Sequence, residues 1–320
     1  MDYKKIVVAG GGILGSQIAF QSAYCGFDVT VLVPDEGSVL GVKNKLANLY
    51  KTYIATIENM NTSKEGWARG IASVDKFNYT ECLNKTKKAF VGIKIEYDQT
   101  KALEDADLVI ESITENFDIK SDFYKSISKI LPEKTVVVTN SSTLLPSKLA
   151  KFTGRPEKYL SLHFANTIWK NNIAEVMKHD KTDEKYFNEI ISFAEAINMI
   201  PLAAKEEKSG YILNSMLVPF LLSAMDLLAN GVSDPETIDK AWTLGTGAPK
   251  GPFQIIDTVG LETARNIVLQ YQKVPDLFDP LLRKMMLPYN YDGMLRILDE
   301  YIEQGKMGKA AKEGFYKYED

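Results

Sequence analysis

The chain has 320 residues, 45% hydrophobic and 25% charged, with a formal net charge of −4. That length supports about two domains with sizeable cores and excludes disorder, collagen and disulfide-stapled mini-folds. The acidic balance argues against a general nucleic-acid binder, which needs a basic face to displace phosphate counterions.

In chain order, residues 6–9 form a short apolar run that ends in Gly10-Gly11-Gly12-Ile13-Leu14-Gly15. Residues 16–24 read as a helix, and 29–33 as a second buried strand punctuated by Pro34. Residues 38–89 are mostly helical and charged, with a break near 59–70. Residues 93–97 alternate like a strand, and 108–113, 135–139 and 159–164 are further apolar runs separated by helical stretches. Strands alternating with helices predict an α/β fold, a doubly wound, mainly parallel sheet covered on both faces. Residues 173–177 and 199–202 are expected to add edge strands.

The character changes after Lys205. From Ser209 onward the periodicity is helical, with breaks at 245–251 and 274–280. Two domains, 1–205 and 206–320, are expected, with a hinge at Glu206-Glu207-Lys208. The most apolar stretch, 211–228, is interrupted by Asn214, Ser215, Pro219, Ser223 and Asp226, so it reads as a core helix rather than a membrane span. The two cysteines, Cys25 and Cys82, make no metal-ligand spacing and no disulfide framework. With no apolar leader at the N-terminus, the expected location is a reducing one, the cytoplasm.

Gly10, Gly12 and Gly15 fit G-x-G-x-x-G between a strand and a helix, with a second strand following. The bare pattern is weak, and the context gives it force. The first glycine allows the tight turn, the second lets a pyrophosphate approach the backbone, and the third lets the helix pack on the strand. The helix N-terminus then faces the anion. This predicts a dinucleotide-binding domain over 1–205. An acidic residue at the end of the second strand would bind the ribose 2′-hydroxyl. Val33 holds that position, and Asp35 arrives two residues later beside Glu36. Asp35 is the candidate ribose ligand, and both carboxylates would repel a 2′-phosphate, which favours NAD over NADP.

Further motifs follow in order: Glu111-Ser112-Ile113-Thr114-Glu115-Asn116 with Lys120, Asn140-Ser141-Ser142-Thr143-Leu144, and Leu162-His163-Phe164-Ala165-Asn166 with Glu175 beyond. Ser209-Gly210-Tyr211-Ile212-Leu213-Asn214, Gly251-Pro252-Phe253 with Asp257, and Gly314-Phe315-Tyr316 complete the series. Over nearly the whole chain this series resembles the 3-hydroxyacyl-CoA dehydrogenase family, which includes 3-hydroxybutyryl-CoA dehydrogenases and relatives acting on carnitine or gulonate. The resemblance implies a catalytic set of Ser142, His163, Glu175 and Asn214, with Glu115, Lys120 and Asn166 on the nicotinamide side. It also implies an acyl-CoA thioester as the small-molecule partner and a homodimer built through the helical domain 206–320. Three departures fall near the substrate. Asn166-Thr167 stands where the family has Asn-Pro, the segment 168–172 is polar and carries Trp169, and Ser209-Gly210-Tyr211 replaces Pro-Gly-Phe.

Oxidising a secondary alcohol removes the hydroxyl proton while hydride leaves the carbon. A neutral imidazole suits the first task, because its ordinary pKa lies near working pH. The chain has two histidines. His163 ends a strand, where open α/β sheets bind ligands, while His179 reads as a solvated turn. Glu175 on the next strand would fix the imidazole tautomer and stabilise the imidazolium. Ser142 and Asn214 would polarise the substrate oxygen. The hydride acceptor has to be the cofactor. The expected activity is NAD-dependent oxidation or reduction at C3 of a short-chain 3-hydroxyacyl-CoA. The alternatives are a dehydrogenase of a small polar hydroxy acid on the same scaffold, and a nucleotide-binding protein without catalysis. In this reading Trp169 fills the pocket beside the reacting carbon and shortens it.

Overall fold

The computed structural model describes residues 3–272 and 289–318. The chain divides into two units, Met1–Ile212 and Leu213–Asp320.

The first unit is an eight-stranded sheet in the order β3-β2-β1-β4-β5-β6-β7-β8. Its strands are β1 (Lys5–Ala9), β2 (Asp28–Leu32), β3 (Lys94–Glu96), β4 (Leu108–Glu111), β5 (Val136–Thr139), β6 (Tyr159–Phe164), β7 (Ile173–Met177) and β8 (Ile200–Ala204). All neighbours run parallel except β6 and β7. Strand periodicity of two sorts the core. Ile6 and Val8 of β1, Leu108 and Ile110 of β4, and Val136 and Val138 of β5 enter one cluster; the residues between them, Val7, Val109 and Val137, enter another. Helices α1 (Ile13–Tyr24) and α2 (Gly37–Thr62) pack on the first cluster through Ile18, Phe20, Tyr53 and Ile57. Among the helices that follow, α3 (Tyr79–Gly92), α4 (Gln99–Leu103) and α5 (Phe117–Ile127), the last covers the other face with Tyr124 and Ile127.

One expectation fails in the topology. The strand 173–177 is interior, paired antiparallel with β6 and parallel with β8, and the sheet edges are β3 and β8. The link between β6 and β7 is too short for the crossover that a parallel pair requires, so the chain turns back on itself. β7 is accordingly almost fully buried.

The second unit is helical among its described residues: Leu213–Ala229, Pro235–Thr246, Pro252–Val259, Leu261–Gln272 and Tyr291–Glu303. The break expected at 274–280 lies outside the described residues. The core of this unit joins Leu222, Met225, Phe253, Ile256, Met294 and Leu298. Two buried aspartates tie down its turns. Asp239 accepts from the Phe253 and Gln254 amides, and Asp257 from the Phe315 and Tyr316 amides. No described helix is long and apolar enough to cross a membrane.

Candidate active site

The glycine turn follows β1. Gly10 has φ +107°, and a Cβ there would lie 2.4 Å from the Ser112 carbonyl oxygen. A Cβ on Gly15 would lie 2.0 Å from the Gly10 carbonyl oxygen, so any side chain there forces α1 off the turn. A Cβ on Gly12 would meet nothing within 4 Å. Gly12 faces a cleft of about 730 Å³, which continues past Val33, Ser38 and Lys45 on one side and Ser112, Ile113 and Thr114 on the other. Two glycines thus let backbones meet and one leaves the approach open, which is what a pyrophosphate at the helix N-terminus needs. The residues fit a dinucleotide. Asp35 stands beside Pro34 and Ser38, which both line this cleft. Its Oδ1 accepts from the Ser38 amide (2.8 Å) and hydroxyl (3.0 Å), so it caps the start of α2.

Beneath Ser112–Thr114 lies a buried ion pair. Lys120 Nζ is 2.5 Å from Glu111 Oε1, and the two residues are 1% and 0% exposed. The Ile113 amide also donates to Glu111 Oε1, while the Tyr124 and Thr139 hydroxyls donate to Oε2. Glu115 lies 3.4 Å from Lys120 and accepts from the Ser141 hydroxyl (2.6 Å) and the Thr143 amide and hydroxyl. Burial alone would raise the Glu115 carboxyl. The hydrogen bonds from Ser141 and Thr143 and the charge of Lys120 outweigh burial and hold it below the usual glutamate range.

The candidate acid–base residues come from three neighbouring strands: Ser142 just past β5, His163 near the end of β6 and Glu175 midway along β7. His163 and Glu175 are register partners across the antiparallel pair, so their side chains project together on one face. His163 Nδ1 is 3.0 Å from Glu175 Oε2, and Nε2 is 3.1 Å from Ser142 Oγ. The other Glu175 oxygen accepts from the Ile212 amide (2.9 Å). With Nδ1–H given to the carboxylate, Nε2 carries the lone pair that takes a proton. The two adjacent serines are separated by geometry, since Ser142 faces the imidazole and Ser141 is bound to Glu115.

Tyr211 was noted in the sequence only as a departure. Its ring stacks on His163 at 4.5 Å and 11° between planes, and its hydroxyl donates to the Ser141 carbonyl (2.8 Å). It is 2% exposed and has φ +51°. Asn166 is exposed just past β6, where its carbonyl accepts from Asn171 Nδ2. Asn214 stands in the first turn of the helix that opens the second unit.

Trp169 is not a pocket wall. It is 7% exposed and packs on Tyr53 of α2 (ring centroids 5.4 Å) in the main core, while Lys170 and Asn171 are exposed. The loop before it differs in backbone as well as composition. Thr167 has φ +64°, and its amide donates to Gln17 Oε1 (2.8 Å). Proline can do neither, since its φ is fixed near −65° and it has no N–H. His179 is 5% exposed rather than solvated, and burial lowers its pKa.

Residues 5–207 match the NAD binding domain of 3-hydroxyacyl-CoA dehydrogenase, and residues 210–318 match its C-terminal domain. The chain belongs to the 3-hydroxyacyl-CoA dehydrogenase family. Within the family it is 31% identical to the human mitochondrial hydroxyacyl-coenzyme A dehydrogenase, over 98% of this chain and 91% of that protein. It is 28% identical to the 3-hydroxybutyryl-CoA dehydrogenase of Clostridioides difficile, over 98% and 99%. The solved structure of a diketoreductase that acts on dicarbonyl compounds is 42% identical, with a TM-score of 0.82 over 99% of this chain and 100% of that one. The family's cofactor is NAD and its members are oxidoreductases.

Proposed function

We propose that this chain interconverts a 3-hydroxyacyl-CoA and its 3-oxoacyl-CoA, with Ser142, His163, Glu175 and Asn214 as the catalytic set. The observation that carries the proposal is the continuous line Ser142 Oγ, His163 Nε2, His163 Nδ1, Glu175 Oε2, with contacts of 3.1 and 3.0 Å, in a chain of this family. When bound, NAD supplies the hydride acceptor. Everything else falls to the protein. His163 Nε2 takes the C3 hydroxyl proton, and Glu175 stabilises the imidazolium so formed. Ser142 holds the oxygen by a hydrogen bond, and Asn214 is assigned the same task. Gly10, Gly12 and Gly15 carry the pyrophosphate, and Glu115, Lys120 and Asn166 border the nicotinamide end.

Short acyl chains are proposed as the favoured substrates, since relatives include 3-hydroxybutyryl-CoA dehydrogenases. Trp169 gives that no support, being part of the core. A second reading, a dicarbonyl or small hydroxy acid without CoA, is favoured by the 42% identity to the diketoreductase and by the non-proline Thr167 turn. The test is NADH consumption with acetoacetyl-CoA, longer 3-oxoacyl-CoA thioesters and free dicarbonyl acids. Turnover of acetoacetyl-CoA that falls with chain length supports the first reading. Turnover of free dicarbonyls alone replaces it with the second.

A homodimer through the second unit is also proposed. Met216, Leu227, Val232 and Leu244 leave apolar surface exposed there. A cytoplasmic location is proposed on the two free cysteines.

A further inference from the structure

We infer that Tyr211 is a positioning residue of the acid–base line, its ring holding the His163 imidazole in the plane that joins Ser142 to Glu175. This rests on the acid–base reading proposed above and adds to it the element that keeps the imidazole from turning.

The second side-chain torsion of histidine is broad, so neighbours set the angle of the ring. Two contacts in the ring plane, to Glu175 at 3.0 Å and to Ser142 at 3.1 Å, give the imidazole its direction. Its face needs a wall, and Tyr211 supplies one, with ring centroids 4.5 Å apart and planes within 11°. The Tyr211 ring is buried in a small apolar cluster with Met177 and Ala204, and Leu145 packs against it. It cannot swing away without opening a cavity there. An aromatic face also favours the positive charge that the imidazole gains with the proton.

The chain around Tyr211 ties that ring to both neighbours of His163. Ser209 Oγ donates to the Thr143 carbonyl (2.9 Å), the Gly210 amide to the Ser142 carbonyl (3.2 Å) and the Tyr211 hydroxyl to the Ser141 carbonyl (2.8 Å). Three successive residues thus meet three successive residues of the serine turn in reverse order. One residue on, the Ile212 amide donates to Glu175 Oε1 (2.9 Å). The segment 209–212 is therefore bonded to Ser142 and to Glu175, and Tyr211 stacks on the histidine between them. Tyr211 has φ +51°, a left-handed backbone that a bulky side chain rarely adopts. Such a conformation persists where its surroundings over-determine it. The bonds on both sides do so, together with the Tyr211 amide on the Lys208 carbonyl (3.0 Å).

The test compares Tyr211→Leu, which removes the ring, with Tyr211→Phe, which removes only the hydroxyl, and uses His163→Gln as the reference. NADH turnover is followed with acetoacetyl-CoA and with a free dicarbonyl acid. Tyr211→Leu is expected to lower kcat about a hundredfold, the effect of a misplacement of about 1 Å, while NADH affinity stays at the parent value. Tyr211→Phe should recover most of that loss. A second measurement needs no substrate. The chain has two histidines, so protein labelled with ¹⁵N-histidine shows two imidazoles by NMR, and His163→Gln identifies them. In the unaltered chain and in Tyr211→Phe, neutral His163 should hold one tautomer, Nδ1–H, with ring protons shifted upfield by the stacked ring. In Tyr211→Leu it should populate both tautomers. Near-parent kcat in Tyr211→Leu beside an inactive His163→Gln overturns the inference and leaves the acid–base reading standing. An equal loss in Tyr211→Phe and Tyr211→Leu overturns it as well, as does an unshifted His163 ring in the unaltered chain or a single tautomer kept in Tyr211→Leu. Near-parent turnover in His163→Gln overturns the acid–base reading itself.

Discussion

Replacing Glu111 by glutamine tests the ion pair beneath the cleft. The carboxylate accepts four bonds, two on each oxygen: Lys120 and the Ile113 amide on one, Tyr124 and Thr139 on the other. An amide keeps one accepting oxygen and turns the other end into a donor. Whichever way it sits, two of the four donors face an NH₂. If the oxygen stays with Lys120, the ammonium still loses its full-charge partner. It keeps only the Ile113 carbonyl at 3.3 Å and the partly exposed Glu115 at 3.4 Å. Leaving one member of a buried pair uncompensated costs about 3–5 kcal/mol. In a unit of this size that corresponds to a Tm drop of roughly 6–20 °C. The reverse change, Lys120→Met, should cost less, because Glu111 retains three donors. Calorimetric melting of both variants checks the magnitude and the order. A Tm within about 2 °C of the parent for Glu111→Gln, or a larger loss for Lys120→Met, would refute the reasoning.

His163→Gln and Glu175→Gln should each lower kcat by about 10²–10⁴-fold while NADH affinity stays near the parent value, as stopped-flow turnover with parallel nucleotide titration would show. Thr167→Pro should destabilise the fold by about 3 kcal/mol, read from the denaturation midpoint, because it removes the Gln17 bond and forbids φ +64°. His179 makes stability depend on pH. Its folded pKa lies below the ordinary 6.5, so the unfolded chain binds the extra proton and stability is full above that value and lost as pH falls below it. The urea midpoint of His179→Gln should therefore vary less than the parent's between about pH 5 and 7. Light scattering at micromolar concentration should report a dimer, and a monomer would remove the interface assigned to the second unit.

The strands were legible because nearly all of them are short apolar runs between helices, and a parallel sheet buried on both faces demands that pattern. The glycine turn was legible for the same reason, since Gly10 and Gly15 are required by backbone contact and leave no alternative residue. Side-chain direction was harder to read. Nothing in Pro34-Asp35-Glu36 says that the carboxylate is taken up by the Ser38 amide and hydroxyl. Trp169 sits among polar neighbours in sequence, yet its ring lands on Tyr53, a contact fixed only when the loop docks on α2. Glu111 ended an apolar strand and read as part of a motif. Its role depends on Lys120 and Tyr124 of α5 and Thr139 of β5, which lie on two other segments. A helical or strand period carries no record of such meetings.

The pairing of β6 with β7 puts the His163 imidazole and the Glu175 carboxylate opposite each other by backbone register. A shift of one residue would send Glu175 to the far face of the sheet, and the buried Ala174 and Val176 on either side of it oppose that shift. The short turn between the two strands makes them antiparallel, and these buried neighbours then hold the register. In such a layout the meeting of imidazole and carboxylate is inherited with the sheet itself.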